Sequence, residues 1–241
     1  MFYLYNIATS YVAIMLAAAI IPALLLLVYV YKKDKADKEP LHIIFELIVR
    51  GIFAALLAMF LESIAEWVLP RFVDPNDPYY FVFFAFLGVA AIEEGCKLFF
   101  LYRRTWYDPN FNYSFDGIVY AVTVSLGFAA FENIGYVFQY GLGNAAIRAL
   151  TAIPGHMSFA VFMGYFYGRA RKEFDRRRTV ILSKILLFMS YIVSVLLHGF
   201  YDSCAMAGTD DAMKIFLAFI VVMFIVAFAM IRHESKYDRP V

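Results

Sequence analysis

The chain has 241 residues, of which 63% are hydrophobic and only 17% charged, and its net charge is +1. Soluble domains carry about a quarter charged residues, so this composition excludes an ordinary soluble globular fold. The basic residues lie in loops and form no single basic face, so we expect no nucleic-acid partner.

Seven apolar stretches separated by short polar loops are predicted to be membrane spans. A helix that crosses a bilayer needs about 20 apolar residues. In chain order the stretches are 8–31, 43–61, 79–102, 116–138, 146–168, 180–202 and 213–231. There is no long linker and no internal repeat. We therefore predict a single all-α transmembrane domain over residues 1–241, a polytopic helical bundle of about seven membrane helices.

The charge of the predicted loops alternates at every crossing. Basic residues follow spans one, three and five and recur in the C-terminal tail, for example in the segment 169–178. The other side has only three basic residues beside six acids: Arg71, Arg148 and Lys214, with Glu62, Glu66, Asp74, Asp77, Asp210 and Asp211. Because cytoplasmic loops carry an excess of lysine and arginine, the pattern predicts an N-terminus outside and a C-terminus in the cytoplasm.

Spans three to six contain ionisable side chains at positions that would lie inside the hydrocarbon. Each such group costs about 3 kcal/mol on insertion scales, so they indicate function or a compensating partner. They are Glu93, Glu94 and Lys97 in span three, Glu132 in span four, His156 in span five, and His198 and Asp202 in span six. Four adjacent spans with polar groups predict a shared polar cavity.

The adjacent acids Glu93 and Glu94 point about 100° apart on a helix, and Lys97 follows one turn later. We expect Lys97 to neutralise one carboxylate and leave the other as a general base or acid. A buried ion pair that only fixes helix packing is the alternative. Counting depth along the helices puts Glu94 nearer the membrane centre than the histidines, so a common site requires span three to be shifted or irregular.

Two histidines have weaker signals when each is considered alone. His198 and Asp202 are four residues apart on one helix face, which suits two ligands of one metal, a carboxylate that orients an imidazole, or an ordinary ion pair. His156 follows Pro154 and Gly155, where we expect a helix kink. A lone histidine in an apolar stretch is more often a satisfied core group than a ligand.

Taken together, these motifs resemble the PrsW family of intramembrane proteases over about residues 80–205. The resemblance is carried by Glu93-Glu94-Gly95-Cys96-Lys97, Phe131-Glu132-Asn133-Ile134-Gly135-Tyr136, Gly155-His156-Met157 and His198-Gly199-Phe200-Tyr201-Asp202, in that order on four spans. It implies an endopeptidase in a bacterial or archaeal plasma membrane that cleaves a single-span membrane protein, such as an anti-sigma factor in stress signalling.

The resemblance also implies roles for individual residues. The catalytic set would be Glu93, Glu94, Glu132, His156, His198 and Asp202, supported by Lys97, Asn133 and Tyr136. A divalent metal, with zinc the expected ion, would be held by His156, His198, Glu132 and Asp202.

One position departs from the related CAAX prenyl endopeptidases, in which a glutamate and a histidine are thought to activate water. Their first histidine corresponds to Glu132 here. Water activation would then rely on carboxylates alone, or metal binding would shift to His156, His198 and Asp202. Two other classes remain open from the residues alone: a proton-coupled transporter, which would usually contain inverted repeats, and a non-catalytic membrane scaffold.

Overall fold

The computed structural model describes residues 2–176 and 180–241, with the side chains of the first helix described from residue 9 onward. Arg177 and Arg178 of the predicted cytoplasmic loop lie outside these residues. The helices are α1 Phe2–Lys33, α2 Leu41–Val68, α3 Tyr80–Phe83, a π-helical segment Phe84–Ala90, α4 Ala91–Thr105, α5 Asp116–Leu150, α6 Ala152–Asp175, α7 Val180–Met206 and α8 Asp210–Lys236.

The prediction of an all-helical membrane protein is confirmed. Five stretches of the described residues are helical, long and apolar enough to cross a membrane: Thr9–Lys33, Leu41–Arg71, Asp116–Asp175, Val180–Met206 and Asp210–Lys236. The third of these contains both α5 and α6. The protein is therefore a multi-pass membrane protein.

The predicted third span, 79–102, is helical but is not one of these five stretches. Its first half is the short helix α3 and the π-helical segment Phe84–Ala90, and its second half, α4, contains Glu93, Glu94 and Lys97. A π-helical turn holds an extra residue per turn, so it rotates and shifts the residues that follow it. A common site for Glu94 and the histidines required span three to be shifted or irregular, and the π-helical segment Phe84–Ala90 is such an irregularity.

Helix α5 forms the centre of the bundle, and small residues let its neighbours approach closely. A Cβ at Gly51 of α2 would lie 2.2 Å from the carbonyl oxygen of Val124 on α5. Nearer the start of α5, a Cβ at Gly164 of α6 would lie 2.5 Å from the carbonyl oxygen of Gly117. Any larger residue would push these helices apart, as expected for packing through small residues in membranes. The close contacts fix α2 and α6 against the helix that contains Glu132.

The prediction of a kink at Pro154 is wrong, and the chain bends at Gly141 instead. Pro154 lies in the first turn of α6, where its missing N–H removes no helical hydrogen bond. The break is in α5 at Gly141, whose φ of 81° is a conformation that other residues rarely adopt. Beyond it, residues 142–150 form a separate short helical stretch that leads into α6 at Ala152.

Candidate active site

Three charged residues of α4 form a compact buried ionic group directly after the π-helical segment. Lys97 Nζ donates to Glu93 Oε2 at 2.9 Å and to Glu94 Oε1 at 2.7 Å. The expectation that Lys97 would neutralise only one carboxylate is wrong. Spacings of three and four residues both lie on the same helix face, so the long lysine side chain reaches both. Glu94 is fully buried, whereas Glu93 is 5% exposed.

His198 of α7 closes this group from the neighbouring helix. Its Nδ1 lies 2.9 Å from Glu94 Oε1 and 4.0 Å from Glu93 Oε2. Its Nε2 lies 3.3 Å from Asp202 Oδ2, one turn further along α7. The ring also stacks on Phe159 at 4.7 Å between centroids. Because both ring nitrogens face carboxylates, the orientation of the imidazole is fixed from both sides.

His156 of α6 links the lysine group to Glu132. Lys97 Nζ donates to His156 Nδ1 at 3.1 Å, and His156 Nε2 lies 3.1 Å from Glu132 Oε2. A neutral ring with its proton on Nε2 satisfies both contacts. The ring is nearly perpendicular to that of His198, with centroids 5.4 Å apart. The two histidines thus lie next to each other although they come from different helices.

Arg148 is a site residue that the sequence reasoning missed. Its Nη2 donates to Glu132 Oε2 and its Nε donates to Asn133 Oδ1, both at 2.9 Å. The guanidinium also lies 3.8 Å above the ring of Tyr136. Asn133 is anchored in turn, since its Nδ2 donates to the carbonyl oxygen of Ala19 on α1 at 3.0 Å.

The bend at Gly141 explains why Arg148 reaches Glu132. In an unbroken helix two residues at this separation would lie about 24 Å apart. Arg148 was counted as a charge of the outer face, because a single arginine near the end of an apolar stretch is indistinguishable from an interfacial anchor. Its position inside the short apolar run between Ala145 and Leu150 was the only available signal.

A polar cavity of about 500 Å³ borders these groups. The predicted residues that line it are Glu93, Glu132, Tyr136, His156, His198 and Asp202. Two further acids of α2, Glu62 and Glu66, also line it and were predicted to be outer-loop charges. Their helix continues past the predicted end of span two, to Val68, which brings both carboxylates alongside the cavity.

Three of these residues could hold one metal ion. One carboxylate oxygen of Glu93 and one nitrogen each of His156 and His198 lie within 4.8 Å of one another. Of the four predicted ligands, His156 and His198 belong to this group, while Glu132 and Asp202 lie behind the histidines and contact their Nε2 atoms. A carboxylate behind a ligating histidine is the usual outer support of a metal site.

The donor chemistry fits zinc, since two imidazole nitrogens and one carboxylate oxygen are a common three-residue set in zinc hydrolases. Lys97 is the competing cation, because its ammonium donates to the lone pair of His156 Nδ1. A metal bound to the Nδ1 atoms of both histidines would have to displace Lys97 from His156 and Glu94 from His198.

Comparisons with known proteins place this geometry in context. Residues 39–231 match the profile of the PrsW family intramembrane metalloprotease. The chain is 35% identical to Protease PrsW of Bacillus subtilis (strain 168) over 187 residues, which cover 78% of this chain and 80% of that protein. It is 31% identical to Protease PrsW of Geobacillus kaustophilus (strain HTA426) over 228 residues, 94% of each chain. Protease PrsW of Clostridioides difficile (strain 630) is 28% identical over 211 residues, 86% of this chain and 85% of that protein. No solved structure matches.

Proposed function

Because this chain belongs to the PrsW family of intramembrane metalloproteases, we propose that it hydrolyses its substrates with the Glu93, Glu132, His156 and His198 side chains at the cavity. The protein is a membrane protease that acts on membrane protein substrates. The observation that supports the proposed site is the meeting of two histidines and two cavity-facing carboxylates from four helices, next to about 500 Å³ of polar space.

Glu93, His156 and His198 would hold the metal, which we expect to be zinc. A divalent metal at this position would polarise the scissile carbonyl as a Lewis acid. Asp202 orients His198 through Nε2, and Glu132 orients His156 in the same way. Glu94 is fully buried and accepts a hydrogen bond from Lys97, so its role is to hold this lysine beside Glu93.

Glu132 is the general base in this scheme. Arg148 and His156 both contact its Oε2, which leaves Oε1 as the oxygen that can meet a water in the cavity. The attacking water gives its proton to this carboxylate while its oxygen bonds to the carbonyl carbon. The carboxylic acid then returns the proton to the leaving amine as the C–N bond breaks. Arg148 keeps the carboxylate in place for both transfers.

The substrate would be a single-span membrane protein, such as an anti-sigma factor cleaved in signalling. The experiment is cleavage of a candidate substrate by purified protein, with and without 1,10-phenanthroline, followed by readdition of zinc. We expect cleavage to stop with the chelator and to return with zinc. Cleavage that continues unchanged in metal-free protein would contradict the metal assignment, and no cleavage of any single-span candidate would favour a scaffold.

For the arrangement in the membrane we propose seven spans in one domain over residues 1–241, with the site within about residues 80–205. The N-terminus would be outside and the C-terminus in the cytoplasm of a bacterial or archaeal cell. The support is the basic C-terminal end of α6, which contains Arg169, Arg171 and Lys172.

Cysteine labelling tests this topology in intact cells. An introduced Asp175→Cys should resist an impermeant thiol reagent until the cells are lysed, and Asp74→Cys, in the loop after α2, should react at once. Cys96 is buried and Cys204 is partly buried, so each background signal is measured in the unmodified protein. Reaction of the residue at position 175 from outside would contradict the proposed direction.

A further inference from the structure

A second buried ionic group lies far from the cavity and contains carboxylates from three separate parts of the chain. Asp34 follows α1, Asp116 is the first residue of α5 and Asp238 follows α8; we call these three residues the tail cluster. One oxygen of each lies within 4.8 Å of the others. Asp34 and Asp116 are both fully buried.

Each carboxylate of the tail cluster uses only one of its oxygens for hydrogen bonds. Asp34 Oδ2, Asp116 Oδ2 and Asp238 Oδ1 accept from backbone N–H groups. The donors are Glu39 to Asp34 at 3.3 Å, Asn112 and Tyr113 to Asp116 at 3.0 and 2.7 Å, and Phe115 and Arg239 to Asp238, both at 2.9 Å. The other oxygens, Asp34 Oδ1, Asp116 Oδ1 and Asp238 Oδ2, are buried and have no hydrogen-bond partner in the described part of the chain.

The tail cluster also lacks a neutralising partner. Within residues 2–176 and 180–241 no lysine, arginine or histidine forms an ion pair with these aspartates. A fourth acid, Glu39, is 2% exposed and accepts a hydrogen bond from Tyr120 at 2.5 Å. Three buried oxygens without a hydrogen-bond or ion-pair partner are costly, and a bound cation would satisfy them.

We propose that the tail cluster binds a hard divalent cation, Ca²⁺ or Mg²⁺. All of its donors are carboxylate oxygens, which these ions prefer, and it contains no imidazole or thiolate that would favour zinc. Oxygens within 4.8 Å of one another can share an ion at the Ca²⁺ distance of about 2.4 Å. Asn112 Oδ1, on the same loop, is also buried without a partner and could add a ligand.

The cation fastens the C-terminal tail to two other segments. The tail already contacts the start of α5, where Ser114 N donates to the carbonyl oxygen of Arg239 and Val241 N donates to that of Asn112, both at 3.0 Å. The ion adds a link from Asp238 to Asp34 in the loop between α1 and α2. Along α5 the tail cluster lies about 24 Å from Glu132, so it is a separate site from the catalytic one.

The test is thermal unfolding of purified, chelator-treated protein in detergent during titration with CaCl₂ or MgCl₂. Binding to the folded state alone raises Tm with ion concentration, by about 5–10 °C at a hundredfold excess over Kd for a chain of this size. Isothermal titration calorimetry on the same sample gives the stoichiometry, expected to be one. The ion with the tighter Kd identifies the physiological ligand. A Tm that does not respond to millimolar amounts of either ion would overturn the proposal.

Variants separate this site from the active site. Asp34→Asn and Asp238→Asn should each abolish the ion-dependent rise in Tm, while the Tm of the metal-free protein should increase because repulsion is removed. Asp211→Asn, at an exposed acid at the start of α8, is the control and should keep the full response. His198→Ala should also keep it, so a failure at the catalytic site leaves this result intact. The proposal would be contradicted if the Tm of Asp34→Asn and Asp238→Asn rose with ion concentration as much as the Tm of the unmodified protein.

Discussion

Two buried ionic groups in this protein differ in how the negative charge of their carboxylates is balanced. The proposed active-site group consists of Glu93, Glu94, Lys97, Glu132, Arg148, His156, His198 and Asp202. It contains its own cations, since Lys97 contacts Glu93 and Glu94 and Arg148 contacts Glu132. The tail cluster contains only acids, and each has one buried oxygen without a partner. The first group therefore has two cations to offset part of its negative charge before any ligand arrives, whereas the second is complete only with a cation.

The two groups also differ in the elements that carry them. The active-site residues lie within α4, α5, α6 and α7, so helix packing sets their distances. The tail cluster combines the start of α5 with residues just beyond α1 and α8, and backbone N–H groups hold its carboxylates. Loss of a side chain from the first group should impair chemistry, and loss from the second should change cation-dependent stability.

The largest effect is expected for Glu132→Gln. The amide keeps the size of the side chain and an oxygen for Arg148, but it cannot accept a proton from water. Cleavage should fall by about 10²–10⁴-fold, as expected for loss of a general base. The measurement is the initial rate of cleavage of a single-span substrate in detergent or liposomes, together with the zinc content of the purified variant, which should be retained.

Glu66→Gln is the matched control, since Glu66 lines the same cavity but is exposed. It should cleave at close to the unmodified rate. A Glu132→Gln protein that is folded, contains zinc and cleaves normally would assign the base to another carboxylate, with Glu93 the next candidate.

The double variant Glu93→Gln, Glu94→Gln removes both negative partners of Lys97. An ammonium left without its partners in a buried site destabilises a protein by about 3–5 kcal/mol. The variant should melt at a lower temperature, lose zinc and be inactive. Glu94→Gln alone leaves Lys97 paired with Glu93, so it should lose stability but retain measurable cleavage. A folded and abundant double variant that cleaves at the normal rate would refute the proposed site.

Asp202→Asn tests the support behind a histidine. The carboxylate contacts His198 Nε2 at 3.3 Å, and replacing such a partner of a ligating histidine typically weakens metal affinity by 10–100-fold. Competition with a fluorescent zinc chelator measures this loss, and excess zinc should restore cleavage. Asp211→Asn, an exposed acid at the start of α8, is the control. Unchanged zinc affinity in Asp202→Asn would remove Asp202 from the metal site.

The smallest effect on cleavage is expected for Asp238→Asn. Asp116 of the same cluster lies about 24 Å from Glu132 along α5, so the rate should stay close to normal while the response of Tm to Ca²⁺ or Mg²⁺ disappears. Cleavage assays with and without either ion provide the measurement. A strong loss of cleavage in this variant would show that the two groups are coupled and that the tail cluster affects catalysis as well as stability.

The sequence predicted the residues of the active-site group better than those of the tail cluster. Glu93, His156 and His198 interrupt apolar stretches, where a charged or polar side chain is costly and therefore conspicuous. Asp34 and Asp238 occur in polar segments and Asp116 is the first residue of a predicted span. At such positions an acid is normally solvated and gives no signal. Glu62 and Arg148 were missed for a related reason, because they lie near the ends of predicted spans and resemble interfacial charges.

By itself the sequence determined that this is a helical membrane protein and which ionisable residues lie within its apolar stretches. Hydrophobicity and charge are local properties of a segment, so they can be read without knowing its neighbours. The tertiary structure decided which groups meet: the π-helical segment at Phe84–Ala90 sets the orientation of α4, and the bend at Gly141 returns Arg148 to Glu132. It also decided that three distant aspartates share one buried space. These contacts depend on how helices pack and where the chain bends, which no single segment of the sequence contains.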